Sequence, residues 1–250
     1  MAQTKTVTTN WTVFSDAQQV AEAAAHTVLR AAEEAVSARN RFRLVLAGGR
    51  TPIAAYRLLA AAAAQWDRWE VFFGDERCLP AADPQRNSKA AFDAWLGRVP
   101  IPAVNVSVIP AELGAEAAAA AYTRVVETAL PFDLVLLGMG EDGHTASLFP
   151  GHEIAVGGPV LPVHDAPKPP SDRVSLSLDA LSDAHRVLIL ATGDGKRAAV
   201  RRWRGGASLP VARVRARREL LVYLDREAAP EHSGAWRPLE PEPGSTYDGG

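Results

Sequence analysis

The sequence predicts an α/β fold built on an open, mainly parallel sheet covered by helices. Two observations carry that expectation. Short apolar runs alternate with Ala-rich stretches of helical character along the 250 residues, the pattern of strands joined by crossover helices. Several of the runs, notably FDLVLLG from Phe132 and RVLILATG from Arg186, are apolar almost throughout, as parallel strands buried on both faces are. Strands are predicted over 42–47, 70–73, 106–109, 132–137, 186–191 and 220–224. Helices are predicted over 15–38, 52–64, 87–96, 115–130 and 196–203, with Pro52 suited to a first helical turn.

The apolar fraction of 47% over this length is enough for one sizeable core. A single domain is expected over 1–226, followed by a flexible tail over 227–250, where Pro, Glu, Gly and Ser accumulate. The 27 basic and 29 acidic residues give a net charge of -2, which recommends neither nucleic acid nor an anionic membrane as partner. The arginines between Arg197 and Arg218 have little aromatic interleaving and read as a solvated face. No apolar stretch reaches the roughly 18 residues of a membrane span, and the first residues show no secretory signal. One cysteine, Cys78, forms no intrachain disulfide; it reads as an inert thiol in a reducing, cytoplasmic setting. The oligomeric state is not legible, and a monomer is the working expectation.

Four polar segments each follow a predicted strand: AGGRTP from Ala47, GDER from Gly74, GMGEDGH from Gly138 and TGDGK from Thr192. Each alone also reads as a turn, but in an open parallel sheet all four fall on the edge where ligands bind. Gly48 and Gly49, ahead of a helix start, allow backbone amides to approach an anion. Arg77 offers a guanidinium fork for phosphate, with Asp75 and Glu76 expected to orient it or to form a structural salt bridge with it. GMGEDG matches the dinucleotide pattern GxGxxG, yet Glu141 and Asp142 would set negative charge where a pyrophosphate belongs, and Pro150 follows too soon for the long helix. That loop is instead expected to present Asp142 and His144, the latter as a general base near neutral pH. Lys196, after Gly193 and Gly195, is placed to reach a phosphate or an oxyanion. His26, His144, His152, His164, His185 and His232 show no zinc-ligand spacing, so no metal is expected, and the GxSxG elbow of serine hydrolases is missing.

The blocks AGGRTP, FFGDERCLP with DPQRNS, FDLVLLGMGEDGHTASLFPG, PKPPSDRVSLSL and ILATGDGKRAAV, in this order over about 44–225, resemble the 6-phosphogluconolactonases of the oxidative pentose phosphate pathway. The resemblance implies a Rossmann-like fold with helices on both faces, shared with glucosamine-6-phosphate isomerases. It implies hydrolysis of a small sugar-phosphate lactone without metal or cofactor. Carried onto this chain, His144 is the base, Asp142 orients it, Arg77 and Lys196 hold the phosphate with the amides of Gly48 and Gly49, and Arg173 lines the site. The chain departs from the family where SGGSTP is common: Ala47 and Arg50 replace two serines, and Arg50 either supplies a guanidinium or points away. Arg86 likewise stands where a serine commonly precedes Asn87. The segment TASLFP after the histidine favours a lactonase over an aminosugar-phosphate deaminase, whose motif resembles IAFNEP. A non-catalytic sugar-phosphate sensor would carry a DNA-binding helix-turn-helix, which is not found.

Overall fold

The computed structural model describes residues 7–152 and 158–230. Residues 231–250, most of the expected tail, lie outside the described residues, as does His232. Residues 227–230 close onto the domain: Ala228 is buried, and its amide donates to Asp225 Oδ1 at 2.8 Å.

Among the described residues nine strands form two sheets. The large one contains β1 (Thr9–Phe14), β2 (Phe42–Leu46), β3 (Trp69–Phe73), β5 (Phe132–Gly138), β8 (Ala184–Ala191) and β9 (Glu219–Asp225), all parallel, in the order β1-β9-β8-β5-β2-β3. The small antiparallel sheet joins β4 (Asp75–Arg77), β7 (Arg173–Leu176) and β6 (Val160–Val163) in that order. Five of the six expected parallel strands are present. The sixth, at 106–109, is not a strand: a single bridge pairs Val106 with Val71, and Ser107 N donates to Val71 O at 2.8 Å. Pro110 follows directly and the chain turns away. The sixth parallel strand is the edge strand β1 instead.

Helices α1 (Ala17–Arg39), α2 (Arg50–Leu59), α3 (Asn87–Ala94), α4 (Ala115–Ala129) and α6 (Arg197–Arg204) match the five expected segments; the short turns α5 (Leu178–Ser182) and α7 (Pro210–Arg213) were not foreseen. In α1 the Asp16 side chain accepts from Gln19 N at 2.9 Å, Asn40 closes the other end at φ 58°, and Val20, Ala24, Val28, Ala31 and Ala35 form the buried stripe. These spacings put small side chains on one face, where α1 and α2 pack side by side over the sheet. α4 lies against β6 and β7 of the small sheet. α2 starts two residues before Pro52 and ends before the Ala60–Ala64 run, where Ala61 and Ala62 donate to carbonyls three residues back and the chain tightens toward buried Trp66. Trp95 meets Trp66 and Trp69 edge to face, while Trp66 and Trp69 are tilted against each other, all beside Tyr56, an aromatic block under the β2–β3 edge. Among the described residues no helix is long and apolar enough to cross a membrane.

From β2 the chain moves outward to β3, and from β5 it moves the other way to β8 and β9. The loops after β2 and β5 therefore part company, which opens a crevice at the carboxyl ends of these two strands. Buried polar groups hold the strand ends that border it. Tyr56 OH bonds both the amide and the carbonyl of Ala47, at 3.0 and 2.9 Å, and Tyr122 OH accepts from Phe73 N at 2.9 Å. Asp225 accepts twice from Gly193 N, at 2.9 and 3.0 Å.

Candidate active site

The crevice is a cleft of about 420 Å³ lined from all four predicted segments and from the chain leading into β7. The loop after β5 carries its most reactive geometry. Gly143 at φ 90° and Ala146 at φ 48° turn it back on itself, with Gly140 N donating to His144 O at 2.8 Å and Thr145 Oγ1 to Gly138 O at 2.9 Å. This return places His144 Nδ1 2.5 Å from Asp142 Oδ1, while the same oxygen accepts from His144 N at 3.1 Å. A β-carbon on Gly140 would lie 2.0 Å from His144 Nδ1 and 2.7 Å from Asp142 Oδ1. The glycine spacing of GMGEDG thus makes room for the His–Asp pair, in line with the rejection of a dinucleotide loop.

Burial pushes the His144 pKa below its ordinary value, and the neighbouring Lys168 acts in the same direction against the attraction of Asp142. Burial by itself would raise the Asp142 carboxyl, but the amide and imidazole of His144 outweigh it and hold Asp142 below the usual carboxylate range. A neutral imidazole donating Nδ1–H to a carboxylate keeps its lone pair on Nε2. Phe149 packs against the imidazole at 4.7 Å between ring centroids.

Asp75, Glu76 and Arg77 form β4, so their side chains alternate. Asp75 and Arg77 reach the cleft, whereas fully buried Glu76 faces away. Neither carboxylate orients Arg77 as the sequence suggested. Asp75 accepts from Ser147 Oγ at 2.7 Å and Asn87 Nδ2 at 3.1 Å. Glu76 caps α3, accepting from the amides of Asn87 and Ser88 at 2.7 and 2.8 Å and from Ser88 Oγ at 2.6 Å. Arg77 donates instead to Gln85 O, and its buried Nε has no partner among the described residues.

Arg173 stands directly opposite Arg77 in the β4–β7 ladder. Its guanidinium is held by the carbonyls of Lys168, Pro169 and Pro170 at 2.9, 3.1 and 3.1 Å, and it lies over the Phe149 ring. Burial lowers the Arg173 pKa, with Arg77 adding to the effect. Lys196, on the turn after β8, is also lowered by burial, and Lys168 and Arg50 act with it against Glu141 and Asp142. Like charges opposed in a ladder repel. Among the described residues no carboxylate pairs with Arg50, Arg77, Lys168, Arg173 or Lys196. A cleft with five such cations can take a multiply charged anion.

The glycine loop supplies donors as well. Gly49 at φ 109° leads into α2, whose first bond is Ile53 N to Gly49 O at 3.1 Å, so the amides of Arg50 and Thr51 have no partner within the helix. Gly48 has no room for a side chain: a β-carbon would lie 2.0 Å from Asn87 Oδ1. The seven residues singled out in the sequence, Gly48, Gly49, Arg77, Asp142, His144, Arg173 and Lys196, all gather at this cleft or in direct contact with a group that lines it. Lys168 and Asn87 were not foreseen there, although the PKPP and DPQRNS blocks contain them; Asp75 lines the cleft without steering Arg77. Arg86 is not a cleft residue. It is buried, 3.4 Å from Glu76, and donates to Ile109 O and Glu112 at 2.6 Å each. Cys78 is half-buried, and burial with Asp172 nearby pushes its thiol up to about 11, consistent with an inert role. Among the described residues no group of three His, Cys, Asp or Glu side chains converges as a metal site.

Fold and site together define an α/β protein with a cationic cleft and an oriented histidine at its switch point. Residues 15–223 match the family described as glucosamine-6-phosphate isomerases/6-phosphogluconolactonase. The chain is 40% identical over 237 residues to the 6-phosphogluconolactonase of Mycobacterium tuberculosis, covering 87% of this chain and 96% of that one. It is 36% identical over 233 residues to that of Rattus norvegicus, covering 87% and 91%. The crystal structure of the Thermotoga maritima 6-phosphogluconolactonase superposes with a TM-score of 0.83 at 29% identity, over 88% of this chain and all of that one. The chain belongs to the glucosamine-6-phosphate isomerase and 6-phosphogluconolactonase family.

Proposed function

We propose that the protein hydrolyses 6-phospho-D-glucono-1,5-lactone to 6-phospho-D-gluconate in the oxidative pentose phosphate pathway, with His144 as general base. The observation that carries this reading is the His144–Asp142 pair at 2.5 Å, at the edge of a cleft lined by five cations that pair with no carboxylate among the described residues. Nε2 of His144 takes a proton from water as the water oxygen adds to the lactone carbonyl carbon. The tetrahedral intermediate then collapses, the bond from that carbon to the ring oxygen breaks, and the ring oxygen leaves with the proton from the imidazolium. Asp142 keeps the reacting tautomer and stabilises the transient positive charge. Arg77, Arg173 and Lys196, with the amides after Gly48 and Gly49, hold the phosphate. General-base assistance contributes about 10² to 10⁴ in rate, and a sugar lactone is an activated ester, so no covalent nucleophile is required. The same reading makes the enzyme cytoplasmic, with no metal or cofactor and no nucleic-acid or membrane partner.

The test is hydrolysis of 6-phosphogluconolactone generated in situ at neutral pH, with the spontaneous rate subtracted and chelator present. Turnover above background supports the reading. Background rates together with ammonia release from glucosamine 6-phosphate would transfer the protein to the deaminase side of the family.

A further inference from the structure

Two lips of the cleft are tied together by a hydrogen bond between hydroxyls: Thr51 Oγ1 lies 2.6 Å from Thr192 Oγ1. The first belongs to the opening turn of α2 and the second to the turn after β8. This bond fixes the position of Arg50, the first residue of α2, relative to Lys196, four residues beyond Thr192. Both line the cleft. Arg50 is exposed at the mouth, and among the described residues neither a carboxylate nor a carbonyl accepts from its guanidinium. Close enough to Lys196 to disfavour its positive charge, it adds to the repulsion from Lys168, which Glu141 and Asp142 oppose. An exposed arginine with no structural partner, held beside another cation at the start of a helix, lacks a stabilising role in the folded chain.

We infer that Arg50 is a further ligand of the substrate phosphate and a source of preference for a phosphorylated over an unphosphorylated lactone in this chain. The inference rests on the lactonase reading. A serine at this position would offer one neutral hydroxyl, whereas the guanidinium brings a full charge and a planar fork that matches two phosphate oxygens. Arg50 and Lys196 then close on the dianion from facing lips, with the amides of Arg50 and Thr51 behind it. Because the group sits at the mouth, part of its effect is long-range attraction, which salt screens.

The experiment compares the native enzyme with Arg50→Ala, Arg50→Ser and Arg50→Lys on 6-phosphogluconolactone and on unphosphorylated glucono-1,5-lactone, at low and high ionic strength. Arg50→Ala is expected to raise KM for the phosphorylated lactone roughly ten- to a hundredfold, the range for loss of a bond to a charged group, with kcat within a factor of two. Arg50→Lys recovers part of the loss, Arg50→Ser recovers less and loses salt dependence, and the unphosphorylated lactone is turned over equally by all four. A native KM in Arg50→Ala, with the native enzyme still preferring the phosphorylated lactone, would overturn the role of Arg50 and leave the lactonase reading intact. Absence of any phosphate preference or turnover in the native enzyme would sink both. Unchanged thermal midpoints identify the effect as one on binding.

Discussion

Gly140 and His144 show how closely this site is built at the level of single residues. The imidazole occupies the space that a side chain at Gly140 would need, so Gly140→Ala must displace either His144 or Asp142. Activity is expected to fall by about the worth of the base, 10² to 10⁴, while the circular dichroism spectrum stays native; a fully active Gly140→Ala enzyme would contradict the geometry. The histidine and its aspartate were legible in GMGEDGH because the acidic residues made a phosphate loop implausible and left base chemistry as the alternative. The orientation of Arg77 was not legible. Neighbours in sequence suggested that Glu76 would steer it, but on a strand neighbours point to opposite faces, and Glu76 is used to cap α3. Lys168 was missed because a lysine between prolines carries no periodic signal; only the fold brings it beside His144.

At the scale of elements, long segments were predictable and short ones were not. α1, α4 and β5 have enough residues for their spacing or continuous burial to identify them. β4, β6 and β7 span three or four residues each, too few for alternation to register, and β6 contains Pro162. Yet this small sheet sets Arg77 against Arg173. It is anchored to α3 through Glu76, and Arg86 completes the anchor by joining Glu76 to Ile109 O and Glu112. Removing one partner of a buried pair leaves the other charge uncompensated. Arg86→Ala is therefore expected to cost about 3–5 kcal/mol in urea unfolding, whereas a change under about 1 kcal/mol would mean that the α3 amides alone satisfy Glu76.

For the molecule as a whole, the sheet order explains why sequence-distant motifs meet. The chain leaves β2 and β5 in opposite directions, and four of the polar motifs end at that divide. The order itself could not be read from the sequence, but the assignment of polar loops to strand ends could, which is why the candidate residues meet at one cleft while one expected strand dissolved and an edge strand took its place. Five cations that pair with no carboxylate among the described residues also repel one another across the cleft. An anion that fits it should stabilise the fold by mass action, by about 2.7 kcal/mol at a hundred times its Kd. Thermal melts are expected to shift upward with 6-phosphogluconate and hardly at all with gluconate at the same concentration; equal shifts would show that the cleft does not read the phosphate.

The most direct test of the account is the pH dependence of kcat/KM for 6-phosphogluconolactone hydrolysis, background subtracted, in the native enzyme and in His144→Ala. Burial lowers the His144 pKa, so the base form persists to more acidic pH and the acidic limb should have its midpoint below 6.5. In His144→Ala that limb should vanish and the rate should drop about 10² to 10⁴, while 6-phosphogluconate still binds. A variant that keeps the native rate and the native pH profile would contradict the assignment of His144 as the base.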